Sequence, residues 1–190
     1  MSTSRARLTD SVEATVTRGR YVDPETVGVR GYVIAEVHGP DGELKSRCEV
    51  HNLVTQVGDQ YYGERAAGVA SPPGQVTGMK LGTGSTAPAK TGAGAALVTY
   101  LSDSHQAIAG GFPTSTLSGS SRRIQWQAVW AAGKATTASA ITEVVIINDT
   151  LADATSTAAN TISRALLTGI GSKGASDTLT VTWNHDLLGA

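Results

Sequence analysis

Short apolar runs recur along this chain, and most of them alternate with polar residues at a period of two. Such alternation is typical of β-strands that bury one face. Between the runs lie clusters of Gly, Ser, Thr, Ala and Pro, which favour turns. The best-formed runs are Val29–His38, Arg123–Ala131, Ile141–Asn148, Thr161–Gly169 and Thr178–Asp186. We therefore predict a mainly β protein, either an antiparallel β-sandwich or a jelly-roll-like barrel.

The first half of the chain contains the clearest hairpin and the one predicted helix. Val29–His51 has alternating runs on both sides of Gly39-Pro40-Asp41-Gly42, in which Pro fixes φ and Gly takes the left-handed position. Apolar residues at near-helical spacing predict one short helix over Leu53–Arg65. Asn52 is its predicted N-cap and Gly68 its stop signal.

The second half predicts several buried strands separated by polar connections. Trp126 and Trp130 fall on one face of an alternating strand, where packing in the core is the more frequent role. The run from Val144 to Ile147 predicts a strand buried on both faces. The polar segments Asp103–Ser121 and Asp149–Asn160 are predicted to be long loops that face outward or contact a partner.

Residues 1–28 differ from the rest and are predicted to form an N-terminal arm, followed by one domain over residues 29–190. The segment has few large apolar groups, so it cannot offset its own ordering entropy. One interpretation is an arm that lies on a neighbouring subunit; the other is an ordinary chain terminus. Guanidinium groups suit carboxylates on a partner. The candidate partner-binding residues are Arg5, Arg7, Arg18 and Arg20.

Composition narrows the class of partner. Charged residues make up 16% of the 190 residues and the net charge is −1, so nucleic acid and anionic membranes are not expected partners. No run approaches the ~20 apolar residues of a membrane helix, and the N-terminus lacks the apolar core of a signal peptide. The single cysteine, Cys48, cannot form an internal disulfide. We expect a soluble protein made in a reducing cytoplasm.

Two glycine-rich patterns resemble nucleotide-binding motifs without meeting their physical requirements. Gly82-x-Gly84-x-x-Ala87 mimics a dinucleotide fingerprint, but Pro88 follows where a helix N-terminus should receive the pyrophosphate. Lys90-Thr91 stands where a phosphate loop would end, but Ala89 replaces the glycine before the lysine. We predict a tight surface turn here and no nucleotide cofactor.

No set of polar residues has the spacing of a metal or catalytic site. His38 and His51 flank one hairpin and could be cross-strand neighbours, but two ligands do not fill a tetrahedral zinc site. Cys48 has no evident partner that would lower its pKa. Four carboxylates near strand ends are expected to cap turns: Glu143, Asp149, Asp177 and Asp186. We predict no catalytic residues, no metal and no cofactor, so the protein is not expected to be an enzyme.

From residue 50 onward, an ordered series of short segments resembles structural proteins of tailed-bacteriophage virions. The series includes His51-Asn52-Leu53-Val54-Thr55 and Leu81-Gly82-Thr83-Gly84-Ser85-Thr86-Ala87-Pro88. The full set is Val50–Gly58, Met79–Pro88, Ala95–Leu97, Ala140–Val144, Ile147–Asn148 and Lys173–Trp183. Each segment alone is weakly specific for these proteins, whereas the order and spacing of the whole series are fairly specific. Residues 1–51 have no clear counterpart in this resemblance.

The resemblance implies a structural role in the particle and carries over no catalytic residue. We expect a capsid decoration, or cement, protein that binds the major capsid protein and its own copies, with a trimer as one possible oligomer. It would be found in the virion, which is assembled in the host cytoplasm. A tail, baseplate or fibre component is the alternative within the same biology. A carbohydrate-binding module that uses Trp126, Trp130 or Tyr100 is the alternative from another class.

Overall fold

The computed structural model describes residues 28–188 as ten strands, one α-helix and a short 3-10 helix at Gly92–Ala95. In chain order the elements are β1 Gly28–His38, β2 Leu44–His51, β3 Leu53–Val54, α1 Gln56–Ala67, β4 Gly78–Gly82, β5 Gln106–Ala107, β6 Thr114–Ser118, β7 Ser121–Trp130, β8 Glu143–Ile147, β9 Thr161–Leu166 and β10 Thr178–Leu188. The predicted arm lies outside the described residues, apart from Gly28, which opens β1.

The strands form two five-stranded antiparallel sheets. Sheet A has the order β2-β1-β10-β7-β6, and sheet B has the order β3-β9-β8-β4-β5. Side chains from both sheets meet in one hydrophobic core, so the prediction of an antiparallel β-sandwich is confirmed. The long strands at the two ends of the domain, β1 and β10, pair along their whole length.

The predicted hairpin at the start of the domain is confirmed as β1 and β2. The Gly39 amide donates to the carbonyl of Glu43 at 2.9 Å, and Gly42 has a φ of 82°, the left-handed value that favours glycine. A bulge between Val37 and His38 adjusts the register next to the turn.

The inner face of sheet A is built from alternating residues, because opposite faces of a strand alternate at a period of two. Its central strands bury the residues that the alternation predicts. All of them are at most 2% exposed: Val33, Ala35, Val37, Trp126, Ala128, Trp130, Leu179, Val181 and Trp183. The prediction that the tryptophans pack in the core is therefore confirmed.

Sheet B is buried on both faces, as the continuous apolar run in β8 predicts. Val144 and Ile146 face the main core, whereas Val145 and Ile147 belong to a second cluster with Leu97 on the outer face. That outer face is covered by chain segments instead of a third sheet. The segments are the connections around residues 83–101 and 149–160. The first hydrogen-bonds to Glu143 of β8, the second accepts hydrogen bonds from Lys80 of β4, and the Leu97 amide donates to Ser156 between them.

The helix starts later than predicted. Leu53 and Val54 form β3 and pair with Arg164 and Ser163 in β9, so the backbone is extended where the helix was expected. The N-cap is Thr55, whose hydroxyl accepts a hydrogen bond from the Gly58 amide at 3.1 Å. The predicted cap at Asn52 is wrong, because that side chain reaches into the sandwich instead.

The predicted loop Asp103–Ser121 also needs correction. It contains β5, which pairs with Gly78 and Met79 of β4, and β6, which pairs with β7 across the Gly119-Ser120 turn. Ser and Thr are compatible with an exposed edge strand, so a low apolar content did not exclude strand structure here. The Asp149–Asn160 segment contains no strand or helix and agrees with the prediction.

Candidate functional site

The most highly connected polar group in the domain is the Glu143 carboxylate at the start of β8. Glu143 and Arg164 are both fully buried, and the guanidinium donates two hydrogen bonds to Oε2 at 2.6 and 3.1 Å. A third guanidinium nitrogen donates to the carbonyl of Gly94 at 3.2 Å. Buried opposite charges need such saturated geometry, because neither keeps its water.

The other carboxylate oxygen holds the connection that follows β4. Glu143 Oε1 accepts from the amides of Gly84 at 3.0 Å, Val98 at 3.2 Å and Thr99 at 2.9 Å. A Cβ atom at Gly82 or Gly84 would lie 2.5 Å from Oε1, closer than real contacts allow. Both glycines are thus needed so that the backbone can approach the carboxylate.

A second buried charge pair fixes the neighbouring segment. Lys80 in β4 is 1% exposed, and its ammonium donates to Asp149 Oδ2 at 2.7 Å and to the Ala154 carbonyl at 2.9 Å. Lys80, Val145 and Arg164 lie side by side in the register of sheet B, so the two cations share its outer face. Together the two pairs attach both covering segments to the sheet.

This arrangement explains the glycine-rich pattern without a nucleotide. The amides of Gly84, Val98 and Thr99 could in another context cradle a phosphate, but here they donate to a carboxylate of the same chain. Both Glu143 oxygens are occupied, and the carboxylate is fully buried. The site can hold two segments together, but it presents no open position to a small molecule.

A second buried polar cluster surrounds His185 in β10. Its imidazole is fully buried and contacts Tyr62 through Nδ1 at 2.5 Å. At Nε2 it contacts the indole nitrogen of Trp183 at 3.0 Å and the amide nitrogen of Asn52 at 2.9 Å. Asn52 also donates to Ser163, whose hydroxyl donates to the Leu53 carbonyl. The cluster therefore connects α1, β3, β9 and β10.

The hydrogen-bond pattern assigns the tautomer of His185. An indole N–H can only donate, so Nε2 accepts and Nδ1 carries the proton. Nδ1 then donates to the Tyr62 hydroxyl. Burial lowers the pKa of His185 to about 3 and raises that of the Tyr62 phenol, so both groups are neutral near pH 7. The cluster is a neutral structural network rather than an acid–base pair.

Beside this cluster, α1 and the end of sheet A form a groove of about 610 Å³. Asp59, Tyr62, Gly63 and Ala66 follow one another at helical spacing and form one wall, and the other wall consists of Val29 and Leu187. The lining is mostly apolar. Asp59 at its rim forms an ion pair with Lys90 at 2.6 Å.

The groove continues along the last row of sheet A, which we call the terminal ledge: Val29, Leu187, Arg122 and Leu117. These four residues are direct cross-strand neighbours in β1, β10, β7 and β6, so their side chains point to the same face. That face is the core face, but sheet B does not cover this row. Leu117 is 70% exposed, Arg122 is exposed, and Val29 and Leu187 are half-buried.

The aromatic residues considered for sugar binding do not form an exposed platform. Trp126 and Trp130 are 2% and 0% exposed. Tyr100 donates from its hydroxyl to Asp153 Oδ1 at 2.7 Å, and burial together with this contact raises its pKa to about 12. A flat sugar face needs accessible rings, and these three are committed to internal contacts.

The histidines and the cysteine are separated by the fold. His51 pairs with Tyr32 and His38 with Leu44, so the two histidines stand at opposite ends of the hairpin instead of across from each other. Cys48 is buried, and burial raises its pKa. Within residues 28–188, no three His, Cys, Asp or Glu side chains are close enough to hold a metal ion. Over the same residues, no helix is long and apolar enough to cross a membrane.

The four carboxylates predicted to cap turns divide into two groups. Asp177 accepts from the Gly174 amide at 2.9 Å and Asp149 from the Leu151 amide at 2.6 Å, so both cap turns as predicted. Glu143 does not cap a turn, because its buried carboxylate binds Arg164 and the amides of the connection that follows β4. Asp186 instead forms a bidentate pair with Arg123 inside sheet A, which lowers the pKa of Asp186.

Comparison of the chain with protein-family models, curated proteins and solved structures gave no match. The candidate site is therefore defined by the geometry alone. The candidate partner-binding arginines, Arg5, Arg7, Arg18 and Arg20, lie outside the described residues.

The buried charges of sheet B were not predicted from the sequence. A signal was present, because Lys80 stands between Met79 and Leu81, and Arg164 stands one residue before Ala165-Leu166-Leu167. A charged residue inside an apolar strand run must be paired if it is buried.

Proposed function

We propose that this chain is a structural protein of a tailed-bacteriophage virion, and specifically a capsid decoration protein. In this role it binds the major capsid protein and further copies of itself on the assembled head. Binding only to the assembled shell stabilises that shell by mass action, as any ligand stabilises the state it prefers. Many copies on one particle make weak individual contacts effective.

The observation that carries the proposal is that two of the six resembling segments, Met79–Pro88 and Ala140–Val144, meet at one carboxylate. Glu143 belongs to the segment Ala140–Val144, and Gly84 belongs to Met79–Pro88. Lys80 also belongs to Met79–Pro88 and lies in β4, which pairs with β8. Segments separated by about sixty residues thus form one structural unit. A shared order of motifs is expected when the motifs build a common fold, which supports the resemblance over a chance similarity of composition.

The surface of sheet A supports an assembly role. Among the described strands, β6 has a partner on one side only, and its sequence Thr-Ser-Thr-Leu-Ser has no charge to discourage further pairing. The opposite edge, β2, has an ion cluster in which Arg47 contacts Glu36 and Glu49, each at 3.1 Å. An uncharged edge beside an apolar ledge is suited to protein contacts.

The proposal is tested by quantitative mass spectrometry of purified phage particles whose genome contains the coding sequence. A decoration protein is expected at a copy number close to that of the major capsid protein. A copy number of a small fraction of that value would instead indicate a tail, baseplate or fibre component. Absence of the chain from purified particles would contradict both roles.

The N-terminal segment gives a second test of attachment. If Arg5, Arg7, Arg18 and Arg20 contact carboxylates on the shell, deletion of residues 1–20 weakens binding to purified particles while the domain stays folded. A matched variant replaces the four arginines with glutamine and keeps the length. If both variants bind purified particles as fully as the unchanged protein does, residues 1–20 do not contribute to attachment.

A further inference from the structure

The outer edge of β6 is an open hydrogen-bonding surface at one side of sheet A. Within residues 28–188, β6 pairs with β7 on one side and with no strand on the other. Its three central residues, Ser115, Thr116 and Leu117, are all exposed. The strand contains no charged residue and no proline, and it pairs with β7 without a bulge. An edge strand without these protective features is a template for a further strand.

The turn after β6 determines which of its backbone groups point outward. Only Gly119 and Ser120 separate the two strands, and Gly119 has a φ of 62°, as the first position of a type II′ turn requires. In such a hairpin the flanking residues, here Ser118 and Ser121, form a hydrogen-bonded pair. Hydrogen-bonded and non-hydrogen-bonded pairs then alternate along an antiparallel ladder.

This alternation leaves two residues of β6 with unpaired backbone groups. Counting back from Ser118, Thr116 also bonds to β7, whereas Ser115 and Leu117 direct their N–H and C=O groups toward the free edge. None of the backbone hydrogen bonds of the described turns and loops involves these two residues. The edge therefore offers a donor and an acceptor at each of two positions, with Thr116 between them.

We infer that this edge binds β6 of a second copy, antiparallel, around a twofold axis at Thr116. Ser115 of each copy then faces Leu117 of the other, and each of these pairs exchanges both of its backbone hydrogen bonds. Thr116 faces Thr116 of the second copy in a non-hydrogen-bonded pair, and two threonines are a favourable cross-strand pair. The two five-stranded sheets A become one continuous sheet.

A second copy is the occupant because the edge is complementary to itself. The register centred on Thr116 pairs every outward-facing backbone group of β6, whereas a shift by two residues leaves half of them without a partner. The nearest cations, Arg122 and Arg123, lie in β7. The β7 strands of the two copies are ~14 Å apart, or three strand spacings, which exceeds the Debye length of ~8 Å at physiological ionic strength. No like charges oppose the contact.

The contact also gives the exposed Leu117 an apolar neighbour. Leu117 is 70% exposed in the single copy. In the paired edges it lies opposite Ser115 of the second copy, and Ile124 is the cross-strand neighbour of Ser115 in β7. Both side chains are on the same face of the joined sheet, because direct cross-strand neighbours share a face.

The inference deepens the proposed function, which includes binding between copies, and rests on it only for the role of the contact on a particle. A single pair of short strands is smaller than a standard interface, so we expect a weak dimer whose fraction rises with concentration. Many copies on one particle would make such a contact effective. The tests use purified full-length protein, so a failed contact and absence from particles are separate outcomes.

Disulfide trapping tests the register. A non-hydrogen-bonded pair places two Cα atoms ~4.5 Å apart, within the range of a disulfide, so Thr116→Cys is expected to form a covalent dimer on oxidation. The matched variant, Ser115→Cys, is also exposed, but its two cysteines lie more than ~8 Å apart, and we expect on the order of tenfold less dimer. Cys48 is buried and is present in both variants. Equal yields, or no covalent dimer from Thr116→Cys, would overturn the inference.

Opposite charges at the axis test whether two copies meet at this residue. Thr116→Lys and Thr116→Glu each place like charges face to face, so each alone should dimerise on the order of tenfold more weakly than the unchanged protein in analytical ultracentrifugation. An equimolar mixture of the two should recover the dimer, because unlike charges then face each other. Thr136→Lys, at an exposed position outside the strands, is the control and should dimerise normally. A mixture that dimerises no better than either variant alone would contradict the pairing.

Discussion

The buried imidazole of His185 predicts a specific dependence of stability on pH. In the folded protein its pKa is lowered to about 3, because burial disfavours the charged form. In the unfolded chain it returns to its ordinary value near 6.5. Below pH 6.5 the unfolded state therefore binds a proton that the folded state excludes. The stability present above pH 6.5 is lost progressively as the pH falls toward the folded-state pKa.

The size of the effect follows from the two pKa values. Each pH unit between them removes about 1.4 kcal/mol from the free energy of unfolding. Between pH 7.5 and pH 4.5 the contribution of His185 is a loss of about 2.5 kcal/mol. For a domain of this length, that loss lowers the melting temperature by ~5–10 °C.

Urea unfolding followed by circular dichroism at half-unit pH steps measures this slope. His185→Gln keeps an acceptor for the Trp183 indole but does not titrate, and we expect it to be less stable at pH 7.5 by ~1–3 kcal/mol. Between pH 7.5 and pH 4.5, the stability of the variant relative to the unsubstituted protein should rise by about 2.5 kcal/mol. All other titrating groups are common to both proteins, so the difference isolates His185.

A second readout observes the folded state directly. The NMR signals of the His185 ring in the folded protein should not shift between pH 7.5 and pH 4.5. Parallel stability curves for the two proteins, or a His185 ring that titrates near pH 6.5 while the protein stays folded, would show that the folded state does not keep His185 neutral. Either result would mean that the imidazole is accessible to water and can be charged in place.

Three further predictions concern the buried pair, the helix cap and the tryptophans. Glu143→Gln should lower the free energy of unfolding by ~3–5 kcal/mol, because Arg164 keeps its charge without a counter-ion; a loss below 1 kcal/mol contradicts the pairing. Thr55→Ala should cost ~1 kcal/mol in urea unfolding, and no cost would argue against the cap. Tryptophan emission should be blue-shifted and protected from acrylamide, whereas red, glycan-sensitive emission would favour a sugar-binding face.

The parts of the fold that depend on local pattern could be predicted from the sequence. Alternation at a period of two identified four of the five strands of sheet A, all except β6, and Pro40-Asp41-Gly42 identified the first hairpin. The helix start could not be predicted to the residue. Asn52 and Thr55 are both acceptable N-caps. The choice between them depends on the pairing of Leu53 with Arg164, which is more than a hundred residues away.

The buried charges depend on contacts that are distant in sequence. Glu143 looks like an ordinary strand-end carboxylate until Gly84, Thr99 and Arg164 are brought to it by the fold. The terminal ledge is equally nonlocal, since Leu117 lies on the core face of sheet A and is nevertheless 70% exposed. Sequence periodicity indicates which face of a strand is apolar, but not whether another layer reaches it.

Electron cryomicroscopy of intact particles is the decisive test of the decoration role, because it locates the chain in the assembly. If the chain is a decoration protein, density for a two-layer β-sandwich is expected at regular positions on the outside of the head, in contact with the major capsid protein and with neighbouring copies. Particles without this density on the head, together with a purified chain that shows no binding to assembled capsids, would contradict it.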